Sequence, residues 1–194
     1  MPLDPAKEVP AERTPLTPAE LRDALLTGHQ TIRAGALPSR AVLRFAWSHV
    51  CHETGGTASA WCWNLGNLKA TDAWPGAWCS LASVLPPSST EPPNQRAYGN
   101  ALQGANDYWR LMFARYTRAI GEAERSDLHN AAVALHESGY MQAEPVGYGD
   151  ALERWAAKFD AAFHDEHASS SALVVGLVLA AVAAGIFVAA MEAK

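Results

Sequence analysis

Basic residues are too scarce here to suggest a nucleic-acid partner: fifteen Lys and Arg stand against twenty Asp and Glu, a net charge of −5 over 194 residues. Cysteine is equally sparse. Three of them (Cys51, Cys62, Cys79) do not make a disulfide framework. Cys51 falls in an apolar helical stretch and reads as an inert core thiol, whereas Cys62 and Cys79 flank a tryptophan-rich segment and can pair in an oxidising compartment. The marks of metal and cofactor chemistry are missing as well. His52-Glu53 lacks the second histidine of the H-E-x-x-H zinc pattern, and the pairs His49/His52 and His164/His167 have no third ligand. Neither a Gly-rich phosphate loop nor a G-x-S-x-G elbow occurs. The chain is therefore read as needing no metal and no cofactor.

Residues 1–15 are rich in proline and charge and contain no apolar stretch of the kind that opens a secretory signal. The far end is the opposite. Residues 172–191 run without a charge, and at about 1.5 Å per residue they make ~30 Å of helix, the hydrocarbon thickness of a bilayer. The expectation is a single-pass C-terminal anchor after a serine hinge at 167–171. Gly176, Ala180 and Ala184, with Ala181, Gly185 and Ala189, fall at four-residue spacing, which suits self-association of such a span. The flanking charges do not decide its orientation.

Between these ends the spacing predicts an α+β domain, mainly helical, over 17–166. Prolines at 2, 5, 10 and 15 make 1–16 a flexible arm. Thr17-Pro18-Ala19-Glu20 is a capping box that starts a helix over 18–33, and Ser39 caps the next, which runs to Glu53. A stretch rich in Gly, Pro, Ser and Trp follows, with short strands expected near 66–70 and 78–84. Helical spacing returns from Leu102 to Ile120, in a shorter helix capped by Asp127, and in a last one through Leu152, Trp155 and Phe159.

Glu53 is the residue that points to chemistry. It ends the apolar run Val42, Leu43, Ala46, Trp47, Val50. Desolvation and the negative end of the helix dipole both favour its protonated form. A protonated glutamate near neutral pH is what a glycosidase uses to protonate a leaving oxygen. Four tryptophans lie close after it (Trp61, Trp63, Trp74, Trp78), and indole faces stack on pyranose rings. A small satellite core is the competing use for them. Asn64 and Asn67 suit the turn between, with contact to sugar as a further role.

Glu53-Thr54-Gly55-Gly56 followed by Asn64-Leu65-Gly66-Asn67-Leu68-Lys69 resembles the E-T-G-W-G…N-L-F-G-I-K pattern of bacterial peptidoglycan β-N-acetylglucosaminidases, glycoside hydrolase family 73 of the flagellar-rod muramidase type. Arg96-Ala97-Tyr98 with Asp107-Tyr108 is similar to that family's F-R-x-Y…D-Y segment, and 135–148 to its L-x-x-x-G-Y-x-T-D-P-x-Y ending. Gly56 stands where the family has tryptophan, Asn67 departs from F-G-I-K, and the segment at Glu144-Pro145 is longer.

The resemblance implies a lysozyme-like domain with a small irregular β-lobe, acting on peptidoglycan glycan strands. By it, Glu53 is the general acid, Glu91 the second carboxylate on a proline-bounded loop with Asp72 in reserve, and Tyr140 a neighbour of the acid. Trp61, Trp63, Asn64, Trp74, Trp78 and Tyr148 are then the residues expected to meet substrate. Three readings stand: a hydrolase cutting a β-1,4 bond next to N-acetylglucosamine, a lytic transglycosylase needing one glutamate, and a non-catalytic wall-binding or assembly protein. Membrane attachment, in a bacterial envelope or a phage particle, accompanies all three.

Overall fold

The computed structural model describes residues 2–82, 84 and 94–164. Glu91, the hinge at 167–171 and the apolar run at 172–191 lie outside the described residues. Among the described residues no helix is long and apolar enough to cross a membrane. The chain divides into two units, Met1–Phe159 and Asp160–Lys194. Of the second, the described part is the last turn of a helix and the two residues after it.

The first unit is mainly helical with one small sheet, the α+β class expected. Helix α1 (Pro18–Ile32) starts at the complete capping box, with Thr17 and Glu20 satisfying each other's backbone N–H groups. Helix α2 (Arg40–Glu53) is capped by Ser39 and buried at nine positions, Val42, Leu43 and the run from Phe45 to Cys51. Of its interior polar groups, the Ser48 hydroxyl donates to the Arg44 carbonyl and His49 Nδ1 pairs with the Tyr108 hydroxyl, while His49 Nε2 has no hydrogen-bond partner. Helix α3 (Ala101–Arg115) lies against α1, where the Trp109 indole N–H reaches the Leu25 carbonyl at 2.8 Å.

The periodicity from Leu102 to Ile120 predicts one helix, and the structure has two. Tyr116, with φ −124° and ψ 32°, ends α3 and precedes α4 (Thr117–Glu124). Its buried ring packs edge-on against Tyr140, 5.1 Å between centroids, a contact that periodicity does not encode. Helix α5 (Leu128–Glu137) is capped by Asp127 as expected, and α6 spans Pro145–Ala162.

The sheet has the order β1-β2-β3, with β1 Glu8–Val9, β2 Trp78–Ser80 and β3 Asn94–Arg96. Strand β1 runs parallel to β2, and β2 antiparallel to β3. Under it lies a satellite core of Cys62, Cys79, Leu81 and Ala97. The strand expected at 66–70 is reduced to a bridge between Lys69 and Gln95, because Asn67 sits at φ +49° and turns the chain just before it. All three cysteines are free thiols. Cys62 and Cys79 are hydrogen-bonded to each other, which holds the Cys62 thiol below its ordinary range and pushes that of Cys79 up.

The expected flexible arm is instead built into this lobe. The Trp78 indole donates to the Asp4 carbonyl at 3.0 Å, Cys62 N–H to Glu12 O at 2.8 Å, and Trp63 N–H to the Thr14 hydroxyl at 2.7 Å. Prolines lack an N–H, so proline content reads as disorder, yet here the residues between them, Asp4, Glu12 and Thr14, supply the oxygens that accept these bonds. Thr14 is buried. Thr14→Ala leaves the Trp63 N–H without its partner and should cost about 1–2 kcal/mol. A urea-unfolding midpoint identical to the parent's would show that this segment lies outside the cooperative fold.

Candidate active site

Helix α2 delivers Glu53 at its last turn, where burial gives way to partial access. The side chain is 17% exposed, while His49, one turn earlier on the same face, is 0% exposed. Helix α6 begins at Pro145, so Tyr148 falls in its first turn and its hydroxyl donates to Glu53 Oε1. His49 Nε2 lies 3.9 Å from the same oxygen. Around His49 are Phe45 stacked at 5.6 Å, Tyr140 at 4.7 Å, Tyr108 at 5.8 Å and Tyr148 at 6.1 Å, centroid to centroid. The site is thus a carboxylate with tyrosines and one imidazole behind it.

Burial, then the charge of Glu53, pushes the hydroxyls of Tyr108, Tyr140 and Tyr148 well above the ordinary tyrosine value, so all three are O–H donors throughout the neutral range. Burial also pushes the His49 imidazole down to about 3, which keeps it neutral. Among the described residues, the arrangement places the Glu53 carboxyl against the Tyr148 hydroxyl, which stabilises it when it loses its proton, and leaves it partly exposed. That is the equipment of a general acid.

Tyr140 lies near the acid as expected, close enough to feel the Glu53 charge, but its hydroxyl donates to the Gly66 carbonyl at 2.9 Å; Tyr148, expected at substrate, is the tyrosine that donates to Glu53. The cause is the turn after α5: Gly139 at φ +76° closes the helix and sends Tyr140 across to the Gly66 turn. Asn64 is a correction too. It is buried, with its amide bonded to Leu68 O and Gln95 Oε1 and its carbonyl accepting from Leu68 N–H, so its groups are committed inside the protein.

The tryptophans are divided among structural tasks. Trp78 is buried against the N-terminal segment. Trp74 carries the Arg96 guanidinium over its ring at 4.3 Å, and Trp61 carries that of Arg13 at 5.0 Å. Arg96 in turn bonds Asp107, which also accepts from the Tyr98 hydroxyl, both at 2.6 Å. This network ties the sheet to α3 and gives the F-R-x-Y…D-Y segment a structural use. A cavity of about 560 Å³ opens beside Trp74, Tyr98, Asp107 and Arg110, and another of about 580 Å³ beside Trp63, Asn100 and Leu102. The structure therefore places Trp74 and Trp63 on separate cavities.

Two contributors escape a reading of motifs. His49 was paired with His52 as a metal question, although its spacing of four to Glu53 is the informative one. Trp155 explains the departure at Gly56: a Cβ there would lie 2.7 Å from the indole Cη2 of Trp155, so an indole from α6 occupies the space beside residue 56. Reach across 99 residues leaves no signal in a local pattern.

Among solved structures, the chain is similar to the glycoside hydrolase domain of FlgJ from Salmonella typhimurium, with 18% identity and a TM-score of 0.54 over 83% of this chain and 99% of that one. It is also similar to a peptidoglycan hydrolase mutant from Sphingomonas sp. A1, with 24% identity and a TM-score of 0.51 over 72% and 92%. The resemblance read from the motifs holds at the level of fold. No protein-family model matches the chain, and no curated protein does either.

Proposed function

We propose that this chain is a peptidoglycan hydrolase that cleaves a β-1,4 bond next to N-acetylglucosamine, with Glu53 as general acid. One observation carries the reading: a partly exposed glutamate at the end of a buried helix, held at one oxygen by a tyrosine hydroxyl, in a fold shared with two solved hydrolases. Glu53 gives its proton to the glycosidic oxygen as the bond to the anomeric carbon breaks, and the Tyr148 hydroxyl then stabilises the carboxylate. Glu91 or the substrate's own acetamido group serves the anomeric carbon. The anchor at 172–191 belongs to the same proposal and rests on the sequence.

Mass spectrometry of purified peptidoglycan digested by the full chain tests this. An N-acetylglucosamine reducing end is the expected product. An anhydro-muramic end would instead make the chain a lytic transglycosylase. Binding to wall with no sugar released would make it a non-catalytic wall-binding protein.

A further inference from the structure

We infer that Cys62 and Cys79 are a reactive thiol pair: a hydroperoxide oxidises Cys62, and Cys79 then displaces the oxygen and closes a disulfide across the β-lobe. The inference concerns the satellite core and is independent of the reading of Glu53.

The fold sets the two side by side. Cys79 is the middle residue of β2, opposite Gln95 on β3 and beside Val9 on β1. Cys62 is fixed next to the same strands by its backbone and its sulfur. Its N–H donates to the Glu12 carbonyl at 2.8 Å, its carbonyl accepts from the Tyr98 N–H at 3.0 Å, and its Sγ lies 3.5 Å from the Pro10 carbonyl oxygen. Pro10 follows the Val9 that pairs with Cys79, and Tyr98 follows the Ala97 whose N–H donates to Ala77. Both cysteines therefore flank the same short stretch of β1 and the end of β3. They share one buried cluster with Leu81 and Ala97, and the Cys79 S–H donates to Cys62 Sγ.

Cys51 shows what a packing cysteine looks like here: it is 2% exposed in α2, and burial pushes its thiol up to about 12. The pair is different. The S–H from Cys79 holds the Cys62 thiol down to about 7, against burial and the charge of Glu12. The same bond pushes the Cys79 thiol up, so it keeps its proton. A thiolate, not a thiol, is the nucleophile. Cys62 also retains 5% exposure where Cys79 has 0%. Charge and access both select Cys62 to react first, and Cys79, already in contact with it, to react second.

The chemistry balances with hydrogen peroxide as oxidant. The Cys62 thiolate attacks one peroxide oxygen, the O–O bond breaks, and hydroxide leaves and takes a proton from solvent, giving Cys62–S–OH. Cys79 Sγ then attacks Cys62 Sγ, the S–O bond breaks, and the Cys79 proton goes to the departing oxygen as water. An electron pair has passed from the two thiols to the peroxide, which ends as two waters. The new bond closes the 63–78 loop onto β2, and that loop carries the Gly66 carbonyl that anchors Tyr140. Closing a loop restricts the unfolded chain and stabilises the folded one.

The test treats the folded full chain with hydrogen peroxide at neutral pH, alkylates the remaining thiols in denaturant and maps the peptides by mass spectrometry. The expected result is a Cys62–Cys79 link beside an alkylated Cys51. The thermal midpoint should rise by roughly 5–10 °C and fall back when a phosphine reduces the bond, which separates this effect from methionine oxidation. Cys79→Ser should stop at a Cys62 sulfenic acid that dimedone traps, and Cys62→Ser should leave Cys79 open to alkylation. Absence of the Cys62–Cys79 link from the folded parent protein, or a link through Cys51, overturns the inference. A dimedone adduct on Cys79 in Cys62→Ser, with none on Cys62 in Cys79→Ser, overturns the order of attack. A link whose reduction leaves the midpoint unmoved overturns the claim that the folded lobe is already set for it.

Discussion

Glu53→Gln is expected to abolish sugar release from purified peptidoglycan, with a loss on the order of 10²–10⁴-fold, the share that a positioned general acid contributes. The amide has the size and acceptor oxygen of the acid, so the Tyr148 hydroxyl keeps a partner. It has no proton to give. The side chain lies at the end of α2 and is partly exposed, so the exchange removes nothing from the core. Circular dichroism should therefore show an unchanged thermal midpoint beside the lost activity. Full activity with Gln at 53 would discard the assignment, since no amide substitutes for an acid in this step.

The largest structural effect is expected at Gly104. A Cβ on this residue would lie 2.0 Å from the Trp63 carbonyl oxygen and 3.2 Å from its carbon. Both are backbone atoms, so no rotamer change relieves the contact. Trp63 is itself held in a left-handed conformation, φ +57°, by the Thr14 hydroxyl on its N–H, while α3 is held from the other side by Trp109 on Leu25. Alanine gains about 1 kcal/mol in helix propensity. Overpacking against rigid backbone costs about 3 kcal/mol or more, and it wins. Gly104→Ala should lower the thermal midpoint by roughly 5–10 °C for a chain of this size. A midpoint at or above the parent's would mean that the 62–65 turn retreats freely. The same turn leads to Gly66, whose carbonyl anchors Tyr140, so the substitution should also blunt the site.

How much of this was legible follows from the range of each interaction. The caps at Thr17, Ser39 and Asp127 act over three residues, and all three helices begin where those signals stand. Glu53 was found because an apolar helix and its terminus are adjacent in the chain. Asn64 as a turn organiser was legible for the same reason. Its bond to Gln95 was not, since that depends on β3 arriving from far along the chain. Tyr140 and Tyr148 were both picked out, but which one reaches the acid depends on where α6 starts and how Gly139 turns the chain. The tryptophans illustrate the limit most clearly: their clustering in sequence suited both stacking on sugar and a small satellite core, and arginines from positions 13 and 96 cover two of their faces.

The sequence by itself determined the capped starts of α1, α2 and α5 and the presence of a glutamate at the end of a buried helix, because capping and periodicity are written in neighbouring residues. Tertiary structure decided which groups stand behind that glutamate. A histidine one turn back, a tyrosine from α3 and another from α6 converge there through contacts spanning 59 and 95 positions. Packing in three dimensions, not order along the chain, sets such distances, and a proton's destination depends on distance.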